Sequence, residues 1–394
     1  MRILLCCLIT VLFCRTASAQ EEIITPSRFV ARVPFQQFIG GIIIFQAQLG
    51  SFPDTLNFIL DSGSGGISLD STTALSFGLK PVLSDKYIRG IGGIKKVSFL
   101  NAQKMKLPGH SVDNLDFFVN DYTLLTSVYG ERIDGVVGYS LLSRYIVKIN
   151  YDSSYFDLWT KGSFKYPRGG YMLRPRIASL PVQTLRVKDE RVVNARFLYD
   201  LGAGLNLILS TDFIQDSSFL KKKRKLYPKY AEGLGGKVDM SMTVIRELRL
   251  GPFRFKQVPV YVFDDKYNVT NYPNLGGLIG SDILRRFNSI LNYAKEEFYL
   301  IPNAHYDDNF DYSYHGIELY YINGMIVVGD IAKNSPAEKA GLKEGDVVVA
   351  INTDFTQNLS RYKALLQMVH TRVDFLIRRG TELMKIGVNI KSIE

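Results

Sequence analysis

One turn, written twice, constrains this chain more than anything else in it. Phe58-Ile-Leu-Asp61-Ser62-Gly63-Ser64-Gly65 and Phe197-Leu-Tyr-Asp200-Leu-Gly202-Ala-Gly204 stand 139 residues apart (200 − 61). Each is an apolar, strand-like run that ends on one aspartate and turns on glycines. A duplicated Asp-x-Gly turn can set two carboxylates face to face across a pseudo-two-fold axis. Two carboxylates that share one proton can activate water without metal, cysteine or histidine.

The repeat runs well beyond the turns. Gly90-Ile-Gly92-Gly93 follows the first aspartate and Gly233-Leu-Gly235-Gly236 the second, each leading into an alternating strand pattern. Leu107-Pro-Gly, with the run ending at Val119, matches Leu250-Gly-Pro, with the run ending at Phe263. Asp134-Gly-Val-Val-Gly138 matches Gly276-Gly-Leu-Ile-Gly280, and beyond these glycines the register holds at an offset of 142, for example 292 − 150. Two tandem copies are too few for a solenoid. The spacing predicts two similar lobes, 20–160 and 161–304, made mainly of short strands. Ile42–Leu49, Thr55–Leu60 and Tyr145–Ile149 read as strands, and a short helix is expected after each apolar-apolar-Gly turn, capped by Ser140 and Ser281.

Composition bounds the rest. Arg2 precedes an apolar run from Ile3 to Phe13 and the small-x-small site Ala17-Ser-Ala19, so residues 1–19 read as a secretory signal peptide. A lipoprotein anchor at Cys14 is the weaker alternative, because Phe13 is bulky for such a site. Cys6, Cys7 and Cys14 all lie in this leader, so the mature chain of 375 residues (394 − 19) has no disulfide to lean on. An exported protein, periplasmic or extracellular, without stable membrane insertion is expected. The net charge of +10 has one obvious cluster, Lys221–Lys225, read as a solvated loop. Nothing beyond charge suggests nucleic acid, and no metal-ligand spacing or cofactor motif is present.

On these residues the two lobes resemble those of pepsin-type and retroviral-type aspartic proteases. The resemblance rests on the apolar strand, Asp61-Ser62-Gly63 with Val136-Val137-Gly138, and Asp200-x-Gly202 with Leu278-Ile279-Gly280. It implies bilobal acid-protease-like β-barrels that hydrolyse peptide bonds in a protein or peptide substrate, with Asp61 and Asp200 catalytic. It also implies catalytic-loop support from Ser62, Gly63, Ser64, Gly202 and Gly204. A first flap is implied over Tyr87–Val97, with Gly90, Gly92 and Gly93 giving mobility, and Tyr87 either covering the substrate or packing as an ordinary tyrosine. Gly233–Gly236 is then either a second flap or a plain hairpin. The chain departs from the family at Leu201, where a Thr or Ser hydroxyl normally reaches across to the other lobe. A Ser64 hydroxyl donating to Asp61 would favour its ionised form, which makes Asp61 the base and Asp200 the proton donor. With both turns in one chain, a monomer suffices.

From about residue 305 the pattern changes. An acidic, aromatic stretch from Asp307 reads as a linker, and residues 305–394 as linker and module. Tyr314-His315-Gly316-Ile317-Glu318-Leu319 precedes Ser335-Pro-Ala-Glu-Lys-Ala-Gly341-Leu, then Gly345-Asp346 and an apolar strand. Ser335 suits an N-cap, Pro336 N1 and Glu338 N3, with Gly341 ending the helix. This string resembles a PDZ domain, an α+β fold. The resemblance implies that a ligand's chain end adds as a strand beside Ile317–Leu319, its carboxylate held by the loop Tyr314, His315, Gly316. A second helix over Leu359–His370 would flank the groove.

Two rival enzymes fail on the residues. Trypsin-type chemistry needs a histidine upstream of its serine, yet His110, His305, His315 and His370 all follow Ser62. A zinc protease lacks His-Glu-x-x-His and has no mature cysteine. The expectation is an exported aspartic endopeptidase with a peptide-capturing PDZ module. The alternative is an inactive peptide-binding scaffold on the same fold, with Leu201 as the discriminating residue.

Overall fold

The computed structural model describes residues 25–91, 93–233, 236–271 and 273–394. The leader with its three cysteines, and Gly92 of the expected first flap, lie outside the described residues. No described helix is long and apolar enough to cross a membrane.

The molecule is mainly β, and each copy of the repeat closes into a barrel. In the first lobe the strands run Ile43–Leu49, Leu56–Leu60, Gly135–Val137, Ile67–Asp70, His110–Asn120, Gly93–Leu107, Val82–Gly90. The second lobe repeats that order with Pro181–Lys188, Val192–Tyr199, Gly277–Ile279, Leu207–Ser210, Phe253–Phe263, Gly236–Leu250 and Tyr227–Gly233. Closure is equivalent too: Leu49 pairs with Met105, and Val187 with Leu248. The strand before each aspartate pairs parallel with the strand of the apolar-apolar-Gly turn, Phe58 against Gly135 and Phe197 against Gly277. Parallel pairing buries both faces, and this is why these short strands are nearly all apolar.

The lobes join through one shared sheet in which Ile146–Asn150 lies antiparallel to Phe287–Asn292. There Lys148 pairs with Ile290, its own counterpart at the 142 offset (290 − 148). An antiparallel pair in which a residue meets its duplicate places the pseudo-dyad at that pair. The symmetry written in the sequence is therefore the symmetry of the fold.

Most expected elements form, within a residue or two at the ends. The short helices are an exception in their capping. They span Tyr139–Leu142 and Ser281–Leu284, capped by Gly138 and Gly280 with no side-chain cap bond. Ser140 lies inside its helix, and the Ser281 hydroxyl goes to Leu201 O at 2.5 Å instead. Tertiary demand for that hydroxyl overrides its local capping preference.

The segment read as a linker packs on the second lobe. Buried Arg286 donates to the carbonyls of Tyr306 and Asp308, and Arg285 pairs with Asp308 at 2.7 Å. The rings of Tyr306 and Phe310 lie on Phe255, and Tyr306 also meets Phe287. The C-terminal module is a five-stranded antiparallel sheet, Ile317–Ile322, Met325–Ile331, Val347–Ile351, Arg372–Arg379, Glu382–Asn389, with a core of its own. Its first helix is Pro336–Ala340, with Ser335 Oγ accepting from Glu338 N and Gly341 at φ +92°. The groove helix, Leu359–Leu365, ends sooner than its sequence pattern suggests and is capped by Asn358.

Candidate functional site

Asp61 and Asp200 leave their strands at equivalent points and are held alike. The Asp61 N–H donates to Val137 O at 2.9 Å and that of Asp200 to Ile279 O at 3.0 Å. Within each turn the glycine N–H turns back on the carboxylate: Gly63 N to Asp61 Oδ1 at 2.6 Å, Gly202 N to Asp200 Oδ1 at 2.8 Å. Across the dyad the relation is crossed. A Cβ built on Gly63 would lie 2.5 Å from the Asp200 carboxyl carbon, and one on Gly202 2.3 Å from that of Asp61. Each carboxylate thus rests on the other turn's glycine, where any side chain would push the pair apart.

The apolar-apolar-Gly turns lock these loops from behind. Gly138 N donates to Gly66 O and Tyr139 N to Ser64 O; Gly280 N donates to Asn206 O and Ser281 N to Ala203 O. Gly204 abuts the first lobe's turn at Ile39–Gly41.

The bond between lobes is one-sided. Ser62, fully buried, donates to Tyr199 O at 2.7 Å and accepts from Leu201 N at 3.0 Å. Leu201, 1% exposed, returns no such bond and packs in the central apolar cluster. The Ser64 hydroxyl does not reach Asp61. It points to Gly66 O at 3.4 Å, closing its own loop.

Both carboxyls sit above the usual carboxylate range because burial disfavours their charge. Asp61 is raised well above it, next by the charge of Asp200 and by a hydrogen bond to that carboxyl. The same bond lowers Asp200. Burial and the mutual charge make the pair hold a proton more tightly than a free carboxyl does, and the two titrate together. The expectation that Asp61 is the base relied on a Ser64 contact that does not form.

Two hairpins carry the glycine loops expected as flaps. Tyr87 pairs with Lys96 and Gly90 with Gly93 in the first; Tyr227–Gly233 pairs with Gly236–Met242 in the second. A Cβ on Gly233 would meet Ile91 O at 2.7 Å, so the two hairpins meet at these residues. Tyr87 does not cover the site: it is 65% exposed. Tyr129, which sequence reasoning missed, lies close enough to feel the charges of Asp61, Asp200 and Glu232. It stacks edge-on against Phe38. No local pattern marks it, since its place follows from how the first lobe's helix Thr123–Tyr129 meets the second flap.

The PDZ loop is assembled but covered. Tyr314 packs on Tyr227 of the second flap at 4.9 Å, and Gly316 takes φ +79°. His315 accepts from Ile317 N at 3.2 Å. Its pKa falls to about 3, because burial and the nearby Lys229 and Lys363 disfavour the cation. Ile317 and Leu319 are buried in the module's core.

Among the described residues no group of three or more His, Cys, Asp or Glu side chains could hold a metal ion. Ser62 has spent its hydroxyl between the lobes. His110 bonds Tyr145, His305 pairs with Asp308, and His315 and His370 belong to the PDZ module.

Comparison with known proteins agrees with this arrangement. The aspartyl protease family matches in two segments, residues 46–141 and 184–283, and the PDZ domain family matches residues 327–379. Serine protease HTRA1 of Xenopus tropicalis is 35% identical over 72 residues, 18% of this chain and 15% of that protein. A probable periplasmic serine endoprotease DegP-like of Chlamydia trachomatis serovar D is 42% identical over 69 residues, 17% of this chain and 14% of that protein. A namesake from Chlamydia muridarum is 39% identical over 69 residues. The chain spans about 14–15% of these curated relatives, a stretch shorter than either aspartyl protease segment. By fold and by family match, the chain carries an aspartyl protease domain built from two copies of one unit, followed by a PDZ domain.

Proposed function

We propose that this protein is an exported aspartic endopeptidase in which Asp61 and Asp200 activate water against a peptide bond. The crossed seating of each carboxylate on the other turn's glycine carries this reading. It is a geometry with little purpose in a peptide-binding scaffold, since it forces two acids together in a buried place. The ionised member of the pair takes the proton of the attacking water. The protonated member donates to the scissile carbonyl oxygen as it gains charge. The two titrate as one unit, and the proton passes between them over the cycle. An extended peptide would lie between the flap tips and the pair. Ser62, Gly63, Ser64, Gly202 and Gly204 hold the loops.

The similarity to serine proteases covers only 69–72 residues, 14–15% of those proteins, and the histidines that chemistry needs are bound elsewhere. The leader supports export. The inactive-scaffold reading rests on Leu201, which leaves one of the two cross-lobe bonds unmade. A pH-resolved assay on a peptide library, with and without a statine-type inhibitor, separates the two readings. The inhibitor's hydroxyl mimics the tetrahedral hydrate between the carboxyls, so inhibitable cleavage supports the endopeptidase. No cleavage anywhere between about pH 3 and 8 would leave the scaffold.

A further inference from the structure

The groove of the PDZ module is closed by the protease lobes themselves. Its ligand edge is the strand Ile317–Ile322, at the end of the sheet. The first lobe's helix Thr123–Tyr129 lies against that strand. From the groove helix, Lys363 Nζ donates to Val128 O at 2.7 Å, and Leu359 and Tyr321 crowd Gly130. On the other side stands the second flap. Its strand Tyr227–Gly233 lines one small cavity together with the loop Tyr314–Gly316, Ile317 and Glu318. That cavity measures about 10 Å³, room for about one water molecule and too little for a carboxylate.

The contacts between flap and module are ionic, the Lys229–Glu318 pair partly sheltered and the Lys237–Asp330 pair nearer the surface. Lys229 Nζ pairs with Glu318 Oε1 at 2.9 Å, at the mouth of the loop that receives a carboxylate in this domain type. Lys237 Nζ grips both oxygens of Asp330, at 2.8 and 2.9 Å. The Tyr320 hydroxyl lies 2.6 Å from Asp330 Oδ2 and also contacts Glu232 of the flap. One hydroxyl proton serves one carboxylate, and burial raises Glu232 above the usual carboxylate range beside that contact. Breaking a sheltered pair by removing one partner is costly, whereas a competing carboxylate that takes the partner's place leaves the lysine paired. A device of this kind holds one arrangement until a competing charge arrives.

We propose that the PDZ module is a closed clamp on the second flap, and that a peptide with a free C-terminal carboxylate opens it by replacing Glu318 as the partner of Lys229. The incoming strand takes the Ile317–Ile322 edge, displaces the helix Thr123–Tyr129 and releases the flap strand. The protease then works where chain ends are abundant, as they are once proteins have been cut or unfolded. Only the rate consequence rests on the peptidase reading; the clamp is a statement about the flap.

Hydrogen exchange on the full chain tests it, with a hydrolysis assay on an internally quenched peptide run in parallel. In Lys229→Met and, independently, Lys237→Ala, amides of residues 227–245 and 123–130 should exchange about tenfold faster, with the PDZ strands at 372–389 unchanged. An equimolar pool of short peptides ending in free carboxylates should do the same to the wild type, and the amidated pool should not. Hydrolysis should rise with exchange. Fast exchange without hydrolysis under any condition keeps the clamp and discards the peptidase. Hydrolysis with flap exchange unmoved by either variant or by the acid pool overturns the clamp. So does slower flap exchange on adding that pool.

Discussion

The two lobes repeat each other almost strand for strand, yet they part in two places. The first turn carries Ser62, whose hydroxyl ties it to Tyr199 and Leu201, while the second carries Leu201, which packs and gives nothing back. The first flap bears an exposed Tyr87, while the second is held by Lys229, Glu232 and Lys237 against the PDZ module. Symmetry persists where the chemistry needs two equivalent groups: the aspartates, their glycines and the turns behind them. It lapses where one copy suffices, as with a single two-handed hydroxyl, or where one lobe has a neighbour that the other lacks.

The largest expected effects test whether the symmetric part is truly symmetric. Asp61→Asn and Asp200→Asn should each lower kcat on a cleavable peptide by about 10³-fold or more, with the fold intact by circular dichroism. If either variant retains near wild-type turnover, a two-carboxylate mechanism is wrong. Gly63→Ala and Gly202→Ala press a methyl into the opposite carboxyl, and each should cost about 1–3 kcal/mol of stability with a deeper loss of activity. Equal losses support the crossed geometry, and a benign Gly202→Ala would show that the second turn stands free of the first.

The asymmetric pair comes next. Ser62→Ala leaves a buried N–H and a buried carbonyl without their shared partner and should cost about 1–3 kcal/mol in denaturant unfolding. Leu201→Thr trades apolar packing for a hydrogen bond worth about 1 kcal/mol and should shift stability by no more than about 1 kcal/mol either way. A Leu201→Thr loss as large as that of Ser62→Ala would mean that the leucine, not the serine, holds the lobes together.

The smallest effect is one of pH. Both carboxyls lie above their ordinary values in the folded protein, so each favours folding when protonated. Stability from this source is present at low pH and declines as pH rises through the raised values. Asp200→Asn removes the charge that raises Asp61 further, so it should raise Tm near neutral pH and lose that advantage in acid. A gain that persists in acid would place its origin outside the pair.

Much of this was legible in one dimension, and the reasons are specific. The repeat at an offset of 142 marks the pseudo-dyad because an antiparallel pair of duplicate strands must cross on it, as Lys148 and Ile290 do. Ser335, Pro336, Glu338 and Gly341 spell a helix because capping and left-handed termination are local. Ser64 and Tyr87 misled for the opposite reason. The direction of a hydroxyl or a ring depends on competing partners that only packing supplies, here Gly66 O for one and open solvent for the other.

The amino-acid order by itself determined the duplicated barrels, the paired aspartates with their glycines, and the PDZ module, because strand alternation, turn chemistry and caps act over a few residues. Tertiary structure alone decided that the Ser64 hydroxyl turns away from Asp61, that the two glycine hairpins meet, and that the module grips one of them. Those outcomes depend on burial and on charges brought together from residues about a hundred apart in the chain, such as Lys229 with Glu318 and Lys237 with Asp330. Distances of that kind exist only once the chain has folded.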